Sequence, residues 1–108
     1  MKIALITACI AGVAHSRMAA TAIKKEAEAR GFKILIEEQG GYKIPVRLTR
    51  EQIESSDLVI VAKAVSISGR ERLTGKKVLD VNVNKALRDP KGIMDEAVAL
   101  FLKNEIAG

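Results

Sequence analysis

Apolar residues fall along this chain in two rhythms. Ile3-Ala4-Leu5-Ile6 and Leu58-Val59-Ile60-Val61-Ala62 are continuous apolar runs. Lys33-Ile34-Leu35-Ile36-Glu37 and Lys77-Val78-Leu79-Asp80-Val81 are shorter versions of them. Short runs without polar alternation suit strands covered on both faces, as in a parallel sheet. The second rhythm lies between and after these runs. From His15 to Arg30 good helix formers carry Met18, Ala19, Ala22, Ile23 and Ala27 at helical spacing, and Gly31 supplies a stop. Thr49 and Gln52 read as a capping box for a short helix through Ser55, and Asp57 leads into the third strand. Asp89 and Pro90 stand where an N-cap and first helical residue belong. Behind them Ile93, Met94, Ala97, Val98, Phe101 and Leu102 form one apolar stripe for a last helix.

Strand and helix thus alternate four times. That pattern predicts an α/β fold: a three-layer domain with a four-stranded parallel sheet, right-handed crossovers and helices on both faces. The expected strand order is 2-1-3-4. Gln39-Gly40-Gly41-Tyr42-Lys43-Ile44-Pro45 reads as a loop after the second strand.

Composition narrows the function. The chain has 108 residues, 48% hydrophobic and 29% charged, in keeping with one soluble domain. Aromatic residues are only 3%, namely Phe32, Tyr42 and Phe101. The core is therefore aliphatic, and few rings are left on which bases could stack, which speaks against a nucleic-acid partner. The net charge of +5 tolerates anionic ligands and acidic partners. Its basic residues are dispersed, as on a solvated surface. One cysteine permits no internal disulfide and fits a reducing cytoplasm. No apolar run approaches the roughly 20 residues that span a bilayer. The start, Lys2 through Cys9, faintly resembles a lipoprotein signal, but such a signal needs about 15–30 residues. A buried first strand explains the same residues.

In an open α/β sheet, ligands bind outside the carboxyl ends of the strands, where the strand order reverses. The turn after the first strand is Cys9-Ile10-Ala11-Gly12-Val13-Ala14-His15-Ser16, so the only cysteine and the only histidine share one loop. Successive backbone N–H groups of Ile10, Ala11, Gly12, Val13, Ala14, His15 and Ser16, with the helix N-terminus, form an anion cradle. The same field favours thiolate over thiol at Cys9. Small residues at Ala11, Gly12 and Ala14 admit a phosphate closely. Ser16 can donate its hydroxyl or cap the helix, and His15 can donate a proton to a phosphoryl oxygen. Each residue also has a plain reading: a small core thiol, a surface imidazole, a helix cap. Their coincidence in one strand-to-helix loop favours a phosphoryl acceptor. A low-molecular-weight tyrosine phosphatase is the nearest competitor, but it needs an arginine six positions after the cysteine, where this chain has His15. A thioredoxin-type site lacks its second cysteine, and a nucleotide P-loop lacks its Gly-Lys-Ser/Thr ending.

The run Cys9-Ile10-Ala11-Gly12-Val13-Ala14-His15-Ser16-Arg17-Met18-Ala19-Ala20 resembles the phosphorylation-site signature of fructose-family enzyme IIB of the bacterial phosphoenolpyruvate-dependent sugar phosphotransferase system. That signature reads Cys-Pro-Thr-Gly-Ile-Ala-His-Thr, then an aromatic and Met-Ala-Ala. The likeness continues in Glu37-Glu38-Gln39-Gly40, in Asp57-Leu58-Val59-Ile60-Val61-Ala62 and in Arg72-Leu73-Thr74-Gly75-Lys76. Ile10 and Ala11 depart from the usual Pro-Thr, Arg17 replaces an aromatic, and Lys63 stands where an acid is common. The resemblance implies that residues 1–108 form one cytoplasmic IIB domain. It implies a phosphohistidine IIA donor, phosphocysteine at Cys9 assisted by His15, and transfer to fructose or a similar sugar held by a membrane IIC permease. No cofactor and no metal enter that chemistry. A static anion receptor and a IIB-like regulator remain as other readings of the same residues.

Overall fold

The computed structural model describes residues 1–9, 13–40, 48–64, 67 and 69–107, without the side chains of residues 9, 13–16, 40 and 103–107. Four strands, β1 (Lys2–Cys9), β2 (Lys33–Gly40), β3 (Leu58–Lys63) and β4 (Val78–Asn82), form one parallel sheet in the order β2-β1-β3-β4. The predicted strands, their parallel pairing and their order are all present. The chain steps from β1 outward to β2, then reverses and crosses β1 to reach β3 and β4. Right-handed crossovers that run in opposite directions lie on opposite faces of a sheet. Helix α1 (Val13–Ala29) therefore covers one face, and α2 (Arg50–Glu54) with the 3-10 turn Arg70–Leu73 covers the other.

Alternation along β1 divides the core accordingly. Ile3 and Leu5 join Leu58, Ile60 and Ala62 beneath α1, α3 (Val83–Arg88) and α4 (Pro90–Ala107). Ala4, Ile6 and Ala8 join Val59 and Val61 beneath Leu48, Ile53, Ile67 and Leu73. From α1 the sheet receives Ala19, Ala20, Ile23 and Ala27, and from α4 Ile93, Met94 and Ala97. The stripes drawn from sequence are wider than the buried ones. Met18 is 57% exposed and Leu102 is 49% exposed.

The end signals act as read. Gly31 takes a positive φ of 79°, and its amide closes α1 on the Glu28 carbonyl at 3.0 Å. Thr49 and Gln52 form a reciprocal capping box on α2. The Asp89 carboxylate accepts the Gly92 amide at 3.0 Å at the start of α4. A Cβ at Gly92 would push that carboxylate out of its place.

Three differences from the expected pattern bear on the site. β2 continues through Gln39 and Gly40 rather than yielding to a loop at Gln39, because the Gln39 side chain is buried and hydrogen-bonded. α1 begins at Val13, so Val13, Ala14, His15 and Ser16 lie in its opening turn and not in the preceding loop. Between β4 and α4 stands a separate short helix, α3, capped by the Asn82 side chain on the Asn84 amide at 2.8 Å.

Candidate functional site

The strand order reverses at β1, so the carboxyl end of β1 is the crevice where an open α/β sheet receives ligands. Cys9 is the last residue of β1. It stands in register with Gly40 on β2, and its neighbour Ala8 stands between Gln39 and Lys63. The Ala64 amide donates to the Ala8 carbonyl at 2.8 Å, so β1 is paired on both edges almost to its tip. Four positions beyond Cys9, α1 opens at Val13. The first four amides of a helix have no intrahelical acceptor and carry the positive end of its dipole. Val13, Ala14, His15 and Ser16 supply those amides, and Cys9 ends the strand just before them. The side chains of Cys9, His15 and Ser16, and the whole of Ile10, Ala11 and Gly12, lie outside the described residues.

Two of the sequence departures have local ion pairs. Arg17 sits 3.8 Å from Glu38 on β2, and Lys63 sits 3.3 Å from Asp80 on β4. Asp80 is shared with Arg70 at 2.9 Å. The lysine at position 63 thus has an acidic partner on the neighbouring strand.

Sequence reasoning missed a second polar centre, on the face opposite α1. Glu37, register partner of Ile6, is 0% exposed. Arg72 grips its carboxylate with both terminal nitrogens, Nη1 to Oε1 at 2.7 Å and Nη2 to Oε2 at 3.0 Å. Gln39 Nε2 donates to Oε2 at 2.5 Å, and the Leu48 amide donates to Oε1 at 2.6 Å. Burial alone pushes the Glu37 carboxyl upward. The hydrogen bonds from Arg72, Gln39 and the Leu48 amide outweigh burial and hold it below the ordinary carboxylate value. The sequence did carry a hint: an acid at the end of Ile34-Leu35-Ile36 must find a partner if the strand is covered on both faces. Nothing in its spacing names Arg72, which lies 35 positions away.

Known proteins resemble this chain over nearly its whole length. Residues 4–96 match the family described as the PTS system lactose/cellobiose-specific IIB subunit. The chain belongs to the IIB family of the phosphotransferase system. Among its relatives, the fructose-like EIIB component 2 of Escherichia coli K12 is 39% identical over 91% of this chain and 92% of its own length. A domain of the fructose-specific IIABC component of Borrelia burgdorferi has a solved structure 38% identical to this chain. It covers 88% of this chain and 90% of its own with a TM-score of 0.82. The fructose-specific EIIABC component of Bacillus subtilis is 38% identical over 90% of this chain but only 15% of its own length. A IIB domain like this one therefore occurs in that protein as one part of a longer chain.

As a IIB component of fructose-like type, the chain is a phosphotransferase by family. Among the described residues, no helix is long and apolar enough to cross a membrane.

Proposed function

We propose that this IIB chain carries a phosphoryl group on Cys9, taken from a phosphohistidine of a IIA protein and given to fructose or a fructose-like sugar held by a membrane IIC component. The observation that carries the reading is the place of Cys9: last residue of the central strand, at the reversal of strand order, directly ahead of the α1 N-terminus. Residues 1–108 act as one cytoplasmic carrier domain in this reading.

In the first step the Cys9 thiolate attacks phosphorus, the S–P bond forms, and the N–P bond to the donor imidazole breaks. The imidazole leaves with the electron pair and is neutralised by a proton. In the second step a sugar hydroxyl oxygen attacks phosphorus, the S–P bond breaks, and Cys9 leaves as thiolate while the hydroxyl proton passes to a base. Charge on the three equatorial oxygens meets the amides of Ile10, Ala11, Gly12, Val13, Ala14, His15 and Ser16. The His15 imidazole orients one oxygen. It cannot clamp two as an arginine fork would. That difference suits a carrier, whose phosphocysteine must outlast the wait for its sugar.

The test is labelling with phosphoenolpyruvate and the upstream carriers, including a fructose-type IIA domain. The expected result is one phosphate per chain, lost in Cys9→Ser and formed more slowly in His15→Ala. Full labelling of Cys9→Ser overturns the assignment. Sustained, Cys9-dependent turnover of an aryl phosphate by the wild type overturns the carrier reading in favour of a phosphatase.

A further inference from the structure

An open hollow of about 400 Å3 lies between α1 and α3. It is lined by Arg17, Met18, Thr21, Ala22 and Lys25 of α1 and by Leu87 of α3. From Arg17 to Lys25 it runs about 12 Å along the helix. Its Arg17 end stands at the carboxyl end of the sheet. Arg17 is 3.8 Å from Glu38 on β2, and Glu38 is the register partner of Thr7, near the end of β1.

Single exposed apolar side chains are ordinary on a protein surface. Met18 differs in its setting. It is 57% exposed and shares the hollow with Ala22 and the partly buried Leu87. An unbranched thioether can also adapt its shape to a partner. The cations beside it are free to turn outward. The Arg17 side chain is 66% exposed and meets Glu38 only at 3.8 Å, a weak surface contact. Lys25 is exposed and has no ion pair among the described residues.

An apolar centre with a charged rim is the anatomy of a protein interface that forms and releases. This rim is cationic, so its complement is an apolar side chain flanked by carboxylates. A second copy of this chain, set hollow to hollow, would bring Arg17 and Lys25 against their own kind. The phosphoryl donor is the partner with reason to sit here. It must bring its phosphohistidine to the carboxyl end of β1, and a protein interface covers roughly 800 Å2 on each partner. Met18 lies only about 7 Å along α1 from Val13, inside such a footprint. A donor that arrives by diffusion also gains encounter rate from opposite charge.

We propose that the hollow between α1 and α3 is the docking seat of the IIA phosphoryl donor, which sets an apolar side chain against Met18 and carboxylates toward Arg17 and Lys25. The inference rests on the reading of Cys9 as an acceptor from a IIA protein.

The experiment compares wild type, Met18→Ser, the charge reversal Arg17→Glu/Lys25→Glu, and a control reversal Lys33→Glu/Lys91→Glu. Lys33 and Lys91 are exposed and outside the hollow, so the control makes the same change in net charge. Each chain is checked for a wild-type circular dichroism spectrum and assayed with a phosphorylated fructose-type IIA domain. The reversal in the hollow should raise KM for phospho-IIA at least about tenfold, and Met18→Ser about fivefold. The control should change it by less than about twofold. An unchanged KM in the hollow variants overturns the proposal, and so does an equal rise in the control, which would reduce the effect to net charge. A defect confined to the second step, from phosphocysteine to sugar, overturns it in favour of a permease contact. A wild-type dimer that Met18→Ser dissociates, with KM unchanged, overturns it in favour of a second copy. Binding of unphosphorylated IIA, followed by NMR titration at low salt, needs no chemistry at Cys9. If Cys9 accepts no phosphate, the carrier reading fails, and that titration decides alone: a Kd weakened about tenfold by the hollow reversal and not by the control supports the seat, and an unchanged Kd or no binding overturns it.

Discussion

The two faces of the sheet are built by opposite means. Beneath α1, α3 and α4, Ile3, Leu5, Ile23, Leu58, Ile60, Ile93 and Met94 pack as a continuous aliphatic layer. Beneath α2 and the 3-10 turn, two elements of only five and four residues cover a smaller cluster, and a buried acid and arginine sit at its carboxyl end. The first face is held by area removed from water, which is forgiving of direction. The second is held in part by hydrogen bonds that must be met one by one, because an unpaired buried charge costs several kcal/mol. The thin face therefore concentrates its vulnerability in one pair of side chains. The thick face spreads it over many.

Removing one partner of the pair should give the largest effect. Arg72→Met leaves the Glu37 carboxylate buried without its fork and frees the Leu48 and Gly69 carbonyls. A loss of about 3–5 kcal/mol in urea unfolding is expected. A loss below about 1 kcal/mol would mean that the aliphatic face supports the fold alone, and the contrast between the faces would collapse.

On the thick face, Ile23→Ala should cost about 3 kcal/mol, since Ile23 is fully buried between α1 and the sheet and its removal leaves a cavity. The sharper expectation is additivity. Ile23 and Arg72 lie on opposite faces and share no partner, so the double variant should lose the sum of the two single losses. Coupling beyond about 0.5 kcal/mol would show that the faces communicate through the sheet.

The same contrast explains what the sequence made legible. The aliphatic face announces itself through period: the runs at Ile3 and Leu58 and the helical spacing at Ala19, Ile23, Ala27, Ile93 and Ala97 needed no partner to be identified. From strand and helix in alternation followed the parallel sheet, its order and the crevice at the end of β1. The thin face has no such period. Its α2, five residues long, is too short to show one, and so is the 3-10 turn. Glu37 drew notice as a strand end, Gln39 as a loop start and all three of Glu37, Gln39 and Arg72 as points of family likeness, but never as partners, because a hydrogen-bond network spanning 35 positions leaves no local mark. At the site, the sequence placed Cys9 at a strand end and His15 by a helix start, and their backbones are there. The loop between was drawn too long because Val13 and Ala14 carry no stop or cap signal that would start the helix at Val13.

Acid should separate the faces next. The Glu37 carboxyl is held below its ordinary value of 4.5 in the folded chain. A depressed carboxyl stabilises the fold above its unfolded value, and that contribution is lost as pH falls below about 4.5 and through the folded value. Stability measured by urea midpoint should therefore fall more steeply from pH 5 downward in the wild type than in Glu37→Leu/Arg72→Met. Equal slopes would remove Glu37 from the acid response.

The smallest effect should come from a polar group on the thick face that has no hydrogen-bond partner among the described residues. Thr7 is 0% exposed, and its hydroxyl makes no hydrogen bond among the described residues. By alternation it belongs with Ile3 and Leu5 on the α1 side, and its register partners are Glu38 and Ala62. Glu38 Oε1 is likewise buried without a hydrogen bond. A hydroxyl buried without a partner has given up its water and received nothing, at a cost of about 1–3 kcal/mol. Valine has the same branched shape, suits a strand equally well and carries no hydroxyl to desolvate. Thr7→Val should therefore stabilise the chain by about 1 kcal/mol, read as a higher urea midpoint with an unchanged slope. If the thick face were as dependent on polar contacts as the thin one, the same substitution would break a bond and lower the midpoint. A destabilised Thr7→Val would then assign the hydroxyl a role two residues from Cys9 that packing alone does not give it.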